Sequence, residues 1–478
     1  MFDNNYSEIR KLKELKNVFD LISKNNLIFP IVFLLIVIVE GLVFSHIIPF
    51  GQVPDEITHY EYICQEMGSP EYAIEMRTAL WDNGGFYSLP GNSDVKINKE
   101  TYDSLKSVKF SKGLSFSDIR PNYRILRHLP AALGLYIGIA LRLPMLSCSL
   151  LSEFFSLIFF TFMGFLVLKI VPIKKELFML CLLLPMSIQQ NVSVSYDSVL
   201  NPCCFLLFAY ILKLYYHEEK VGWKNLLVML LLLIPIVVIK PPYAIIIFSI
   251  LIIPFSKYEL KIGNKIDVKK VIRGIWPVLL ILLVLLIIIA GYVFRRNKYE
   301  KTIIADILCF SDFISLLGRN YESFAYYRMQ QFFGCFGWID CAVNSVFIII
   351  SIIVITYLNC NVIEEINVKL NVWRRILLFL TGLFLMLFIY IVMQAWTYDY
   401  LGYDMLAGVD KYKEYVKGLD FILGVQGRYL IPCLPLILVA LSGETKRENK
   451  RAYVLVQVGY YIFIAFIVFS LLYERYWG

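Results

Sequence analysis

Apolar runs separated by short polar connections fill most of this chain. The first, Leu27–Pro49, follows a segment carrying Arg10, Lys11, Lys13, Lys16 and Lys24. Further runs cover Ser149–Val171, Leu177–Gln190, Val194–Tyr215, Leu226–Ile239, Tyr243–Phe255, Ile275–Phe294, Asn344–Leu358, Ile376–Trp396, Tyr429–Leu441 and Tyr453–Tyr473. Many approach or exceed the ~20 apolar residues that cross a hydrocarbon core. The pattern predicts an all-α polytopic membrane protein with about eleven transmembrane helices. Leu129–Leu143 is also apolar, but Arg142 and Pro144 interrupt it, so it reads as an interfacial helix.

Residues 1–26 form the expected cytoplasmic segment, and 27–478 a single membrane domain. Three polar stretches interrupt that domain: a large first extracytoplasmic loop at 51–128, with interfacial helices, and further outer loops at 295–341 and 397–428. The first loop carries two turn-rich pieces, Trp81-Asp82-Asn83-Gly84-Gly85 and Pro90-Gly91-Asn92-Ser93-Asp94. Leu27–Pro49 is too long for a signal h-region and reads as a signal anchor.

Charge tests the alternation of spans. The inner loops so defined carry Lys174 and Lys175; Lys213, Lys220 and Lys224; Lys257, Lys261, Lys265, Lys269, Lys270 and Arg273; Lys369, Arg374 and Arg375; and Lys446, Arg447, Lys450 and Arg451. The short outer turns hold little charge beyond Asp197 and Lys240, so the positive-inside rule is obeyed. Composition agrees, with 58% hydrophobic and 18% charged residues and a mean hydropathy of +0.65. The net charge of +8 lies mainly in short loops and gives no reason to expect nucleic acid. The ten cysteines fall mostly in apolar runs without metal-ligand spacing. Richness in Ile, Lys, Asn and Tyr suggests an AT-rich bacterial gene, and hence the plasma membrane of a bacterium.

The sharpest chemical feature is Val53-Pro54-Asp55-Glu56-Ile57-Thr58-His59-Tyr60, directly after the first span. If Asp55 opens a helix, His59 falls on the same face one turn on, with Glu56 beside it. Helix capping explains one acid here, but not two acids and a histidine. Asp55, Glu56 and His59 are the candidate catalytic residues: Asp55 as general base or metal ligand, Glu56 and His59 shaping its charge. Asp55 and His59 are the candidate ligands if a divalent cation, Mg or Mn, is used.

The later motifs supply candidate substrate contacts. In Gln426-Gly427-Arg428-Tyr429-Leu430-Ile431-Pro432, Arg428 at a helix start opposes the dipole and suits a phosphate, the alternatives being ordinary snorkelling or pairing with an outer-loop carboxylate. Lys240-Pro241-Pro242-Tyr243 offers a phosphate ligand or an interfacial lysine with an aromatic anchor. In Ser195-Tyr196-Asp197-Ser198, Asp197 lines a site, pairs with Lys240 or Arg428, or caps its helix. Gly334-Cys335-Phe336-Gly337-Trp338-Ile339-Asp340 can stack on sugars, though an interfacial turn accounts for it slightly better. Glu40 and His46 lie within the first span, and Arg124, Arg127 and His128 can orient a lipid phosphate.

Taken in order, five of these motifs resemble a bacterial family of membrane proteins of unknown function, DUF2142. The motifs are Pro54-Asp55-Glu56-xx-His59, Ser195-Tyr196-Asp197-Ser198-xx-Asn201, Lys240-Pro241-Pro242-Tyr243, Phe336-Gly337-Trp338-Ile339-Asp340 and Gln426-Gly427-Arg428-Tyr429-xx-Pro432. That family in turn resembles the GT-C superfamily of glycosyltransferases. The resemblance implies a GT-C-like fold and transfer of a sugar from a polyprenyl-phosphate donor to a surface glycan or lipid-linked acceptor, outside the membrane. It implies Asp55 as catalytic carboxylate, Glu56 as its partner and, by position, Arg428 at the donor phosphate. Lys240, Tyr243, Asp197, Tyr429 and Gln426 are the other candidate substrate contacts. The rivals are a transporter or flippase of lipid-linked saccharides and a glycan polymerase.

Overall fold

The computed structural model describes residues 27–82, 99–114, 119–259, 309–362, 369–401, 416–443, 445–446 and 450–478. The segment 1–26, the expected span Ile275–Phe294, the basic residues from Lys261 to Arg273, Arg447, and most of both turn-rich pieces of the first loop lie outside the described residues. Parts of the two later outer loops, 295–308 and 402–415, also lie outside them.

The described chain is helical, apart from two small sheets of two-residue strands. α1 (Ile28–Ile47) leads into a first-loop group of α2 (Glu56–Glu66), α3 (Glu71–Asp82) and α4 (Lys99–Leu105). A 3₁₀ turn at Tyr123–Arg127 and α5 (Leu129–Ala140) return the chain to the bundle. Then come α6 (Met145–Ile170), α7 (Lys175–Leu182), α8 (Pro185–Val192), α9 (Asp197–Tyr216) and α10 (Trp223–Ile239). After a 3₁₀ helix at Pro241–Ile252, the later elements are α11 (Phe310–Phe333), the hairpin β1 (Cys335–Phe336) and β2 (Cys341–Ala342), α12 (Ser345–Cys360) and α13 (Val372–Tyr400). A 3₁₀ turn at Gly427–Cys433 runs straight into α14 (Leu434–Ala440), and α15 (Lys450–Tyr476) follows.

Five of these helices, α1, α6, α9, α13 and α15, are long and apolar enough to cross a membrane. Five shorter apolar helical segments join them, so the chain is a polytopic membrane protein. In α1 the buried residues Phe33, Val37, Gly41 and Phe44 repeat at helical spacing, while Leu35, Ile38, Val39 and Leu42 point outward. An apolar outer face belongs in lipid. α9 is buried on nearly every face, packed among α6, α8, α10 and the Pro241–Ile252 helix.

Two details depart from a simple reading of the apolar runs. Leu177–Gln190, expected as one span, is two short buried helices broken at Leu183-Leu184. Pro185 has no N–H to donate and drives Leu184 into an extended conformation (φ −58°, ψ 134°), so the first helix cannot continue. The Pro241–Ile252 segment is a 3₁₀ helix started by two prolines. At about 2.0 Å per residue, its 12 residues reach about 24 Å, where an α-helix would reach about 18 Å.

The helices run between two polar ends. At one end, lysines and arginines from separate loops bind backbone carbonyls. Lys174 Nζ donates to Asn359 and Asn361 (both 2.7 Å), Lys257 Nζ to Tyr215 (2.5 Å) and Arg374 Nε to Ile252 (2.8 Å). Cations suit the carbonyl end of a helix. The opposite end gathers the starts of α2 and α9, the end of α10, and the Gln426-Gly427-Arg428 turn. The sequence motifs meet there.

Candidate functional site

Asp55 precedes α2 in the left-handed region (φ 67°), which an aspartate tolerates better than most residues. Its carboxylate makes no capping hydrogen bond, so capping does not account for it. It is 53% exposed and accepts from Arg428 Nη2 at 3.0 Å. Arg428 itself is only 5% exposed. Its Nη1 donates to Gln190 Oε1, and its buried Nε has no partner among the described residues.

A glycine positions this arginine. A Cβ on Gly427 would lie 2.1 Å from the Arg328 carbonyl oxygen and 2.6 Å from the Phe332 nitrogen. Only a residue without a side chain lets this turn lie against α11. Gln331 of α11 then fastens it, its Oε1 accepting from Gly427 N–H (3.0 Å) and from Arg328 Nη1 (3.1 Å). Gln426, Arg428, Gln190, Gln331, Pro54 and Ile339 border a cavity of about 10 Å³, enough for about one water.

Lys240 supplies the second cation. Its Nζ sits 3.5 Å from Asp197 Oδ1, 4.1 Å from the centre of the Tyr429 ring and 4.6 Å from that of Tyr196. Aromatic faces on both sides favour the charged amine. Buried Tyr243 donates its hydroxyl to the Tyr429 carbonyl at 2.9 Å, tying the two turns together. Of the alternatives open for Asp197, its carboxylate pairs with Lys240, and its own N–H is capped by Ser195 Oγ at 3.1 Å.

Glu56 turns the other way. Only 1% exposed, it accepts from Gly51 N–H (2.7 Å) and Val194 N–H (3.0 Å), bracing the first-loop turn against the approach to α9. Burial raises its pKa to about 7, against the lowering effect of those two N–H groups. Asp55 and Glu56 are thus not a carboxylate pair on one face.

His59 is buried with its ring edge-on to Tyr196, centroids 4.3 Å apart. Its Nδ1 faces His128 Nε2 at 3.0 Å, and His128 Nδ1 faces Glu66 Oε2 at 3.3 Å. Arg127 Nε donates to Glu66 Oε1 at 2.9 Å. Burial, then His128, Arg428 and Lys240, hold His59 well below the usual imidazole range. Burial also lowers His128, with Glu66 opposing. Burial raises Glu66, but His128 and Arg127 outweigh it and the net shift is downward.

Sequence reasoning set Arg127 and His128 down as lipid-phosphate contacts, and the structure ties both to Glu66. It missed Glu66, Gln190 and Gln331 altogether. The Glu66 signal was legible only as an acid ten residues past Glu56 on the same helix. Asp340 ends the β1–β2 turn and pairs with Arg475 at 2.9 Å, so this glycine–aromatic motif forms a tight hairpin. His46 bonds the Leu42 carbonyl of its own helix at 2.8 Å. For a cation at Asp55 and His59, no cluster of three His, Cys, Asp or Glu side chains able to hold a metal occurs among the described residues. Asp55 is held by Arg428 and His59 by His128.

The first-loop motif, Asp197, Lys240 and Arg428 therefore meet in one polar cluster, drawn from segments up to 373 positions apart in sequence. The chain belongs to a family of membrane proteins whose model, described as "Predicted membrane protein (DUF2142)", matches residues 38–437. The matched range contains every residue of this cluster. Comparisons with curated proteins and with solved structures gave no match.

Proposed function

We propose that this protein is a GT-C-type membrane glycosyltransferase that moves a sugar from a polyprenyl-phosphate donor to a surface glycan or lipid-linked acceptor, on the extracytoplasmic face of a bacterial plasma membrane. The observation that carries this reading is the exposed Asp55 carboxylate held 3.0 Å from the buried Arg428, with Lys240 close to the same turn. A buried guanidinium with an unpartnered Nε suits a phosphate, which can take two of its donors in a fork.

In the reaction, the acceptor hydroxyl oxygen forms a bond to the anomeric carbon. The bond from that carbon to the donor phosphate oxygen breaks, and its electron pair leaves on the phosphate. Arg428 and Lys240 stabilise that developing charge. A phosphate on Arg428 displaces Asp55, whose freed carboxylate takes the hydroxyl proton. A single displacement inverts the anomeric centre.

An apolar groove supports a lipid-linked substrate. It has a volume of about 460 Å³ and lies among Leu129, Leu133, Phe159, Phe162, Val199 and Ile234. Val199 is two residues beyond Asp197, and Leu129 directly follows His128. The motifs cluster at one end of the helices, as a single active site on the outer face requires.

The test is the surface-glycan composition of cells carrying wild type, a deletion or Asp55→Asn at matched membrane protein levels. Loss of the same sugar in the deletion and in Asp55→Asn supports the reading. A normal glycan with Asp55→Asn, against a loss in the deletion, removes Asp55 as base and favours transport.

A further inference from the structure

We infer that Arg127, Glu66 and His128 fix His59 as the neutral tautomer with its proton on Nδ1, so that His59 offers a bare Nε2 to a hydroxyl of the acceptor saccharide. The hydroxyl half rests on the transferase reading above, whereas the tautomer half does not.

The direction of each hydrogen bond follows from the far end of the chain. Glu66 receives Arg127 Nε at 2.9 Å, and an ionised carboxylate can only accept, so His128 Nδ1 carries the hydrogen toward Glu66 Oε2. One proton must lie between His128 Nε2 and His59 Nδ1, which are 3.0 Å apart. It belongs to His59 if His128 is neutral and to His128 if His128 is a cation.

Charge balance decides between these. Glu66 already has Arg127 as its counter-ion, so a cationic His128 would be a second, uncompensated positive charge. His128 has no exposed surface, and an unpaired buried charge is expensive. The positive ends of Lys240 and Arg428 act on His59 in the same sense and disfavour a cation there. His128 is therefore neutral, its Nε2 accepts, and His59 Nδ1 donates. In a neutral imidazole the other nitrogen is then an acceptor.

A bare Nε2 on a buried, oriented ring accepts hydroxyl or amine hydrogens. The His59 ring lies edge-on to Tyr196, whose ring also neighbours His128 and Lys240. One helical turn after Asp55, whose carbonyl accepts the His59 N–H at 2.9 Å, His59 thus adds a second acceptor, which suits a polyhydroxylated ligand. Glu66, Arg127 and His128 are positioning residues, since they act through His59.

The chain has four histidines, so ¹⁵N-histidine labelling gives a spectrum simple enough to assign with His46→Gln and His217→Gln. Solid-state NMR of the full chain in lipid vesicles at neutral pH should find protonated Nδ1 and bare Nε2 on both His59 and His128. A protonated His59 Nε2, or a His59 cation, overturns the tautomer. This measurement is made on the wild-type site and does not depend on a site variant folding.

The hydroxyl half is read from cellular glycan, at matched protein levels, in His59→Ala, His59→Gln and Asp55→Asn. Loss in His59→Ala with recovery in His59→Gln, whose amide oxygen can still accept, supports it. An intact glycan in His59→Ala, while Asp55→Asn abolishes it, overturns the hydroxyl role and leaves the transferase reading standing. An intact glycan in all three overturns both, while the NMR result stands on its own.

Discussion

Two aspartate–arginine pairs lie at the same end of this bundle, and they differ in one respect that matters. Asp340 and Arg475 are 7% and 4% exposed and meet at 2.9 Å, closed off on both sides. Asp55 and Arg428 meet at a similar 3.0 Å, but Asp55 is 53% exposed while Arg428 is 5% exposed. In the closed pair neither ion can be replaced, so removing one leaves the other stranded. In the open pair the carboxylate can leave to water and a ligand phosphate can take its place. The same two side chains serve as a clasp in one setting and as an exchangeable contact in the other.

The largest separation between the pairs should come from Asp55→Asn. If Asp55 is the base, sugar transfer falls by about 10²–10⁴-fold. The thermal midpoint should fall less than in Asp340→Ala, because the isosteric asparagine still accepts from the buried Arg428 through its amide oxygen. Asp340→Ala should do the reverse, lowering stability by about 3–5 kcal/mol as a stranded buried charge does. Detergent-solubilised melting curves read both, and a midpoint shift larger in Asp55→Asn than in Asp340→Ala would end the comparison.

Arg428→Lys comes next, with an expected loss of about 10²–10³-fold in transfer, since an ammonium cannot reproduce the forked contact. Steady-state assays on a synthetic polyprenyl-phosphate sugar give the number. The smallest effect concerns Glu56, which should behave as a brace. Burial raises its pKa from the ordinary carboxylate value of about 4.5 to about 7. The stability this contributes is complete below about 4.5 and is lost as pH rises through about 7. The melting midpoint should therefore fall across that window in wild type and slope less in Glu56→Gln.

Much of the architecture was legible because lipid demands long apolar stretches, and α1, α6, α9, α13 and α15 announce themselves that way. The breaks were harder. Pro185 sits in the middle of an apolar run, and hydrophobicity alone carries no mark of the helix ending there. α11 was folded into an outer loop because Arg319, Asn320, Glu322 and Arg328 dilute its apolar pattern, although it is the surface against which Gly427 rests. At the site, Asp55, Asp197, Lys240 and Arg428 were legible as charges out of place beside lipid, and the structure gathers all four. The opposite facing of Asp55 and Glu56 was not legible, since it depends on the left-handed turn between them and on N–H groups of Gly51 and Val194. The link from His59 to Glu66 runs through His128, a partner 69 positions away, and pattern within one helix could not supply it.

The left-handed backbone at Asp55 works as a filter that acts before any chemistry does. Placing an ordinary side chain there costs about 1–2 kcal/mol, with glycine exempt and asparagine and aspartate the least penalised. Random variation at this position is therefore funnelled toward three residues, and only one of them carries a charge. A survey of tolerated substitutions would recover aspartate partly because the turn admits few others, and the isosteric asparagine is the exchange that separates what the turn requires from what the reaction requires.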